Sequence, residues 1–323
     1  MMSAENLHKF RNELTAVLFH ACIWLAISFV WFSIIKNPAT VPFCAAVCAA
    51  ASYAAYRFSH KIVLSSVRAR RISEREEPQL YAIVRELAAE SSLSMPRVYV
   101  VPALSPNIFV TGRSPSHACL CCTEGLLMMM NHRELRAVVG HELRHVANRD
   151  IVPASIACAC ARIILDAACC CMKFGQRKSD SRKTTVYYLG KVLFILTAPL
   201  AACIIRTVAS QERELVADEE SCELTSDPEA LASALHKIES VTRIDPMDKT
   251  AGVRAVQMLM IASPFAVEGA DRLLSAHMPV SERTAHLLGQ ESYEASSASS
   301  DFNGFVIKYI DNYTGNYAGD VAE

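Results

Sequence analysis

Residues 138–150 read VVGHELRHVANRD, and this stretch decides how the rest of the chain is interpreted. On an α-helix, residues four apart are surface neighbours, so His141 and His145 would lie on one face, where two imidazoles can bind one metal ion. Glu142 would lie beside that ion, where its carboxylate can take a proton from an attacking water and pass it to a leaving amine. The pattern is typical of a zinc peptidase.

The helix is predicted independently of the two histidines. Asn131 and Glu134 have the spacing of a capping box, and Asn148 is suited to the end of a helix. An apolar stripe recurs at the helical period between them, formed by Leu135, Val138, Val139 and Leu143. The alternative is that HELRH is a chance string in an ordinary amphipathic helix, and its context has to separate the two interpretations.

A third metal ligand is expected from a second helix further along the chain. Residues 211–220, QERELVADEE, contain Glu214, and Asp218 follows four residues later on the same face. Asp218 would there accept an N–H from a ligand histidine and fix its tautomer. Either acidic residue alone is more often solvated surface, but the pair downstream of the histidine motif favours a site. Two neutral imidazoles, a carboxylate and an open water position are the usual catalytic ligand set of Zn²⁺.

Composition narrows the class of protein. A length of 323 residues indicates one or two domains, and a net charge of −1 argues against nucleic acid as a partner. The hydrophobic fraction of 52% indicates membrane segments beside a globular body. The 13 cysteines are odd in number and many lie in apolar runs, which favours reduced thiols in a reducing compartment. A metal site formed by Cys119, Cys121 and Cys122 is disfavoured, because a structural zinc site normally needs a second cysteine pair and the sequence has none nearby.

Two N-terminal stretches have the character of transmembrane helices. Residues 14–35 are uncharged and apolar over more than the length needed to cross a bilayer, and residues 40–56 form a second apolar stretch. Basic residues follow the second stretch, namely Arg57, Lys61, Arg68, Arg70 and Arg71. By the positive-inside rule, residues 1–56 are therefore predicted to be a membrane anchor with both ends in the cytoplasm, which is also the side expected for the catalytic helix.

The remaining chain is predicted to form a domain over residues 57–290 and a flexible tail over 291–323. Within the domain, the apolar stretches 151–172 and 187–205 predict a membrane-associated hairpin at about 151–206, which either lies along the bilayer or spans it. Residues 106–112, PNIFVTG, and 118–122 predict a β-hairpin. Its exposed edge either holds a peptide by strand addition or is simple scaffold. The expected fold class is mainly α with a small β-sheet, an α+β zincin-like peptidase domain, plus N-terminal transmembrane helices.

Several ordered motifs together resemble one family. The chain is similar to the HtpX-type membrane zinc metallopeptidases, relatives of the CAAX prenyl endopeptidases, over roughly residues 14–288. The resemblance is carried by two N-terminal spans, PNIFVTG at 106–112, TEGLL at 123–127, HELRH at 141–145, RELVAD at 213–218, DPEALASAL at 227–235 and HMPVSER at 277–283.

The resemblance implies a role for each motif residue. It implies that the zinc ligands are His141, His145 and Glu214 and that the catalytic carboxylate is Glu142. It also implies residues that support the site, namely Asp218 as the group that orients His141, His277 as an oxyanion stabiliser, Arg283 as its neighbour in the same motif, and Asn107 as the polar residue of the substrate-edge strand. Taken by itself, a single histidine such as His277 is more often a surface or capping residue than a catalytic one.

The function implied by the resemblance is protein quality control, in which misfolded or damaged membrane proteins are cleaved on the cytoplasmic side of the cell inner membrane. The expected cofactor is one Zn²⁺ per chain, and the expected partners are protein or peptide substrates and the lipid bilayer. Two alternatives stay open. One is a prenyl-protein endopeptidase of the CAAX type, and the other is a non-catalytic membrane scaffold that keeps zinc for stability.

Overall fold

The computed structural model describes residues 40–176, 211–265 and 278–289. Four predicted features lie outside the described residues: the first span at 14–35, the apolar stretch at 187–205, His277 and the tail at 291–323.

Helices form most of the described chain. They are α1 (Thr40–Ser66), α2 (Pro78–Glu90), α3 (Glu124–Met129), α4 (His132–Ala147), α5 (Ile151–Gln176), α6 (Gln211–Thr225), α7 (Pro228–Ile244), α8 (Ala251–Val256) and α9 (Val280–Leu288). Short 3₁₀ turns occupy Pro115–His117 and Gln257–Leu259. The strands are β1 (Arg70–Arg71), β2 (Arg97–Val101), β3 (Ile108–Gly112) and β4 (Ala118–Thr123). The prediction of a mainly helical α+β protein is confirmed.

The four strands form one mixed sheet in the order β1, β2, β4, β3. β2 and β4 run parallel, whereas β3 and β4 form an antiparallel hairpin in which Val110 pairs with Leu120. The hairpin predicted from residues 106–122 is therefore confirmed, and β3 lies at the edge of the sheet.

Both faces of the sheet are covered, because successive side chains of a strand point to opposite faces. One face shares a hydrophobic core with α2, α4 and α7, and its central members are Ile108, Val110, Leu120 and Cys122. The other face shares a core with α1, α5 and α8, and its central members are Phe109, Cys119 and Cys121. The three neighbouring cysteines of β4 are thus buried free thiols inside the sheet, as the sequence predicted for small reduced hydrophobes.

The two described apolar segments are both helical and pack against each other. The predicted second span at 40–56 is the first part of α1, which continues through Arg57 and Lys61 to Ser66. The apolar stretch at 151–172 lies within α5. Within the ranges 40–176, 211–265 and 278–289, none of the helices combines the length and the apolar character needed to cross a membrane.

Gly125 marks a close approach between the start of α3 and the loop before β3. A Cβ atom at this position would lie 1.6 Å from the carbonyl oxygen of Leu104, and the Gly125 N–H donates to the Ala103 carbonyl. Because backbone lies on both sides of the contact, neither segment can move without losing hydrogen bonds, so Gly125→Ala is expected to cost about 3 kcal/mol or more. Thermal unfolding in detergent measures the loss. Gly140→Ala, whose Cβ would meet only side-chain atoms, the Ser221 hydroxyl at 2.9 Å, the Thr225 methyl at 3.1 Å and a Leu224 methyl at 3.9 Å, should cost clearly less, and equal losses would contradict the argument.

Candidate metal centre

The helix that carries the HELRH motif is fixed at its start by side-chain hydrogen bonds. The Asn131 side chain accepts from the Glu134 N–H, and the Glu134 carboxylate accepts from the Asn131 N–H, so the predicted capping box is confirmed. Glu134 also binds Ser233 at 2.7 Å and Lys237 at 2.8 Å, both on α7. α4 ends at Ala147, and Asn148 is its C-cap as predicted. The histidines are therefore presented by a helix that is anchored to its neighbour.

The structure brings the three predicted ligands together. The Nε2 atoms of His141 and His145 lie 3.2 Å apart, and their rings are nearly perpendicular at 85°. Glu214 on α6 places its Oε2 atom 3.6 Å from the Nε2 atom of His141 and its Oε1 atom 3.6 Å from the Nε2 atom of His145. All the candidate ligand atoms lie within 4.8 Å of one another, and the part of the chain that the structure describes holds no second such group.

These spacings fit a zinc ion. Bonds of about 2.1 Å to a tetrahedral zinc place the ligand atoms roughly 3.4 Å from one another, which is close to the distances between His141, His145 and Glu214. Two imidazoles and one carboxylate also suit zinc better than magnesium or calcium, which prefer oxygen ligands. Three protein ligands leave one position open, as in catalytic sites, whereas structural zinc sites are closed by four.

Glu142 lies beside the ligands and has an unusual environment. Its side chain is 1% exposed, and neither carboxylate oxygen accepts a well-aligned hydrogen bond from the described residues. The backbone N–H of Val110 is close enough to stabilise the ionised form slightly. Burial raises the pKa of Glu142 to about 8, an effect that the charge of His145 only partly offsets. A buried carboxylate without a partner is costly, so its position next to an open ligand site points to a proton-transfer role.

Glu214 has the opposite electrostatic environment. Burial acts to raise the pKa of Glu214, but the close approach of His141 Nε2 at 3.6 Å and the positive charges of His145 and Arg283 outweigh it and hold this pKa well below its usual range. Glu214 is therefore ionised, as a metal ligand must be. The pKa values of two neighbouring carboxylates are thus shifted in opposite directions, which suits Glu214 to bind a cation and Glu142 to exchange protons.

The ligand His141 is held from behind by a buried ion pair. An oxygen of Asp218 lies 2.7 Å from His141 Nδ1, although the N–H does not point straight at it. Arg283 donates two hydrogen bonds to the Asp218 carboxylate, at 2.6 and 2.7 Å, and a third to the Ile261 carbonyl at 2.6 Å. Arg283 is 1% exposed and Asp218 is fully buried. The arrangement places two predicted support residues, Asp218 and Arg283, directly behind the metal ligands.

Asp150 supports the second ligand histidine and was not recognised from the sequence. Its carboxylate lies 3.3 Å from His145 Nδ1 and 3.7 Å from the guanidinium of Arg213. Asp150 follows the end of α4, beyond a residue with a left-handed backbone, Arg149 with φ 61°. The helical periodicity that linked the other site residues therefore stops before Asp150. Chemistry could have identified Asp150 instead, since a histidine that binds a metal usually donates its second N–H to a carboxylate or a carbonyl.

Removal of this carboxylate should weaken metal binding. Asp150→Ala leaves His145 free to rotate and to change tautomer, and we expect the metal affinity to fall about 10–100-fold. Competition with a chromophoric zinc chelator measures the affinity. Asp166→Ala, which removes a half-exposed carboxylate paired with Arg162 on α5, is the matched control and should leave the affinity unchanged. An Asp150→Ala protein that binds zinc as tightly as the control would contradict this role.

A cleft opens beside the ligands and is bounded by the edge strand. Its lining includes the charged or metal-binding side chains of Glu142, His145 and Glu214 and the apolar side chains of Val110, Met258 and Leu259. Part of the outer edge of β3 is already paired within the chain, since the Ile261 N–H donates to the Ile108 carbonyl and Phe109 forms a bridge with Met260. The segment from Met258 to Ile261 therefore borders the place where a substrate strand would lie.

Asn107 lies at the start of this edge and is fully buried. Its side-chain amide donates to the Ala262 carbonyl at 3.0 Å, and its side-chain oxygen accepts from the Ile108 N–H at 3.1 Å. These contacts hold β3 against the segment that borders the cleft. Its direct contact with substrate stays a prediction, as does the role of His277.

The burial of Glu142 has a consequence for stability when metal is removed. The folded chain holds the Glu142 proton up to a pKa of about 8, whereas the unfolded chain releases it near the ordinary value of 4.5. This residue therefore makes stability fall as the pH rises from about 4.5 to 8, and Glu142→Gln removes that part of the fall. After zinc chelation, the Tm advantage of the variant should be near zero at pH 4.5 and several degrees at pH 8. Thermal unfolding at a series of pH values checks this, and an advantage that does not change with pH would contradict it.

Comparisons with known proteins agree with this site. The model of Peptidase family M48 matches residues 74–291, which include all three candidate ligands. A Protease HtpX homolog from Bifidobacterium longum (strain NCC 2705) is 42% identical over 284 residues, covering 87% of this chain and 93% of the relative. A Protease HtpX homolog from Kineococcus radiotolerans is 41% identical over 293 residues, covering 89% and 99% respectively.

The solved structure of S. mikatae Ste24p is also similar, with a TM-score of 0.46 and 13% identity over 88% of this chain and 67% of that one. This likeness is too slight to carry an argument. The sequence matches are sufficient without it, and they confirm the resemblance drawn from the motifs between residues 106 and 283. The chain therefore belongs to peptidase family M48.

Proposed function

We propose that the chain is a zinc-dependent endopeptidase anchored in the cell inner membrane, which cleaves misfolded or damaged membrane proteins on the cytoplasmic side as part of protein quality control. The observation that carries the proposal is the meeting of His141, His145 and Glu214 around one open position, beside the buried carboxylate of Glu142, which has no hydrogen-bond partner among the described residues. The helix-borne motif, a third ligand from a downstream helix and a nearby edge strand also fit the zincin-like arrangement expected from the sequence.

The residues of the chain divide the chemistry between them. Bound zinc would supply a Lewis acid that lowers the pKa of a water and polarises the substrate carbonyl. Glu142 takes a proton from the attacking water, whose oxygen bonds to the carbonyl carbon, and delivers the proton to the amine nitrogen as the C–N bond breaks. In the metal-free chain burial raises the pKa of Glu142 to about 8, and the positive charge of a bound zinc ion would lower it towards neutrality, where the group can accept and then release a proton. The proposed role of His277 is to donate a hydrogen bond to the oxygen that gains negative charge.

The membrane location rests on the sequence. The apolar stretches at 14–35 and 40–56 and the basic residues that follow them support an anchor over residues 1–56 with cytoplasmic ends. The hairpin at about 151–206 is proposed to contact the bilayer near the cleft, since it connects the two helices that carry the metal ligands. The tail at 291–323 is proposed to be a flexible extension that takes no part in catalysis.

Substrate class separates the proposal from its rivals. The full chain, purified in detergent with zinc, is incubated with casein, with a destabilised membrane protein and with a farnesylated C-terminal peptide. We expect cleavage of the first two and none of the third, and chelation should stop it. Release of the C-terminal tripeptide from the farnesylated peptide, without cleavage of the other two substrates, would support a prenyl-protein endopeptidase. Bound zinc with no cleavage of any substrate would support the scaffold.

A further inference from the structure

A group of basic side chains lies at one end of the sheet, remote in sequence from the metal motifs. β2 begins at Arg97, which pairs with Cys119, and the neighbouring pair Gly112 and Ala118 closes the hairpin. The loop that connects β3 to β4 therefore lies at the same end of the sheet as Arg97. This loop contributes Arg113 to the surface.

α1 adds two further cations to this end of the sheet. Arg57 and Lys61 both lie near the Phe58 ring, with their charged groups 5.6 and 5.5 Å from its centre. His60 is between them in sequence and only 7% exposed, and its Nδ1 atom has no hydrogen-bond partner among the described residues. Burial lowers the pKa of His60, and the positive charges of Arg97, Arg113, Lys61 and Arg57 lower it further, so all four cations act on this one imidazole. We call the surface formed by Arg57, Lys61, Arg97 and Arg113 the basic face.

The basic face is not neutralised by the described part of the chain. None of its four cations forms an ion pair with a carboxylate there, whereas other surface arginines do, such as Arg85 with Glu74 and Arg243 with Glu239. The whole chain has a net charge of −1, so this concentration of positive charge is local. Unpaired cations gathered on one surface attract an anionic partner.

Exposed aromatic side chains adjoin the basic face and indicate which anion it meets. Tyr53, Tyr56 and Phe58 are 65%, 40% and 45% exposed, and they precede or lie within the part of α1 that bears Arg57 and Lys61. Aromatic side chains with an apolar body and a polar edge are typical of the boundary between lipid and water. Cations beside a row of such aromatic side chains, an aromatic belt, are typical of contact with anionic lipid headgroups. A nucleic acid would not require the aromatic belt at the end of an apolar helix.

We propose that the basic face binds the headgroups of anionic phospholipids and thereby holds the peptidase body against one leaflet of the membrane. The inference rests on the membrane location proposed above and not on peptidase activity. Arg57 and Lys61 follow the predicted span directly, whereas Arg97 and Arg113 reach the same surface only through the fold. The second pair is therefore the sharper test, because these two residues lie outside the segment next to the anchor.

The experiment uses the full chain in lipid nanodiscs of phosphatidylcholine with or without phosphatidylglycerol. Hydrogen exchange of the loop at 113–117 is measured for the wild type and for Arg97→Glu/Arg113→Glu. The matched control is Arg133→Glu/Arg243→Glu, which changes the net charge equally at two exposed arginines on α4 and α7. Casein cleavage in detergent shows that both variants are folded. Inorganic phosphate and a short oligonucleotide, each added to phosphatidylcholine nanodiscs, are the competing anions.

We expect phosphatidylglycerol to slow loop exchange at least threefold in the wild type and in the control, with no slowing in the double variant. Equal exchange in both lipids overturns the basic-face proposal and leaves the membrane location intact. Protection by phosphate or by the oligonucleotide equal to that by phosphatidylglycerol also overturns it, in favour of a small-anion or nucleic-acid site. A chain that does not enter nanodiscs of either composition overturns the membrane location and this inference together.

Discussion

Glu142→Gln is expected to lower the rate of peptide-bond cleavage about 10²–10⁴-fold while the zinc content stays at one per chain. Glutamine has nearly the shape of glutamate but cannot accept a proton from water at neutral pH. The zinc content should not change, because Glu142 lies beside the ligands and is not one of them. The affected constant should be kcat, with little change in KM, because the proton moves only during the chemical step.

The measurement combines casein cleavage with metal analysis of the same preparation. Glu212→Gln is the matched control, since Glu212 is an exposed carboxylate on the helix that bears Glu214 and should be dispensable. Wild-type cleavage by Glu142→Gln would refute the role of Glu142 as the base. Loss of zinc together with activity would show that Glu142 acts through metal binding instead.

Arg283→Met is expected to destabilise the protein by about 3–5 kcal/mol, because it leaves the Asp218 carboxylate buried without its partner. The side chain of Arg283 is 1% exposed and makes two hydrogen bonds to Asp218 and one to the Ile261 carbonyl. A flexible apolar side chain fills the space but replaces none of these bonds. Zinc affinity should fall as well, since Asp218 lies against His141 and loses its fixed position.

Chemical or thermal unfolding in detergent measures the change, and Arg243→Met, an exposed arginine paired with Glu239, is the control with an expected effect within about 0.5 kcal/mol. Adding Asp218→Asn to Arg283→Met should recover part of the lost stability, because the unpaired charge is then removed. A loss as small as that of the control, or no recovery in the double variant, would show that the ion pair does not stabilise this region.

Local patterns in the sequence were sufficient to predict several elements. The capping box at Asn131 and Glu134 acts within four residues, so it placed the start of α4 correctly. The turn at 113–116 between residues 106–112 and 118–122 likewise predicted the β3–β4 hairpin, because strand pairing across a short turn depends on near neighbours. These predictions succeeded because the interactions that stabilise both elements join residues that lie close together in the sequence.

Contacts between distant segments were predicted unevenly. Glu214 was assigned because its helix carries a recognisable motif, but its distance from the histidines was not determined by spacing. Asp150 was missed because it lies past the end of the helical period, in a turn whose geometry depends on the neighbouring chain. The hydrogen bonds of Arg283 to Asp218 join residues 65 apart in sequence, and no periodicity connects them.

The sequence alone determined the residue types that can bind a metal and move a proton, and the helix that sets His141 and His145 on one face. It did so because a helix repeats every few residues and its ends are capped by near neighbours. Only the tertiary structure decided that Glu142 is buried with no hydrogen-bond partner in the described part of the chain, that Asp150 contacts His145, and that Arg97 and Arg113 join the cations of α1. Burial and charge are sums over neighbours from every part of the chain, so they exist only once the chain is packed.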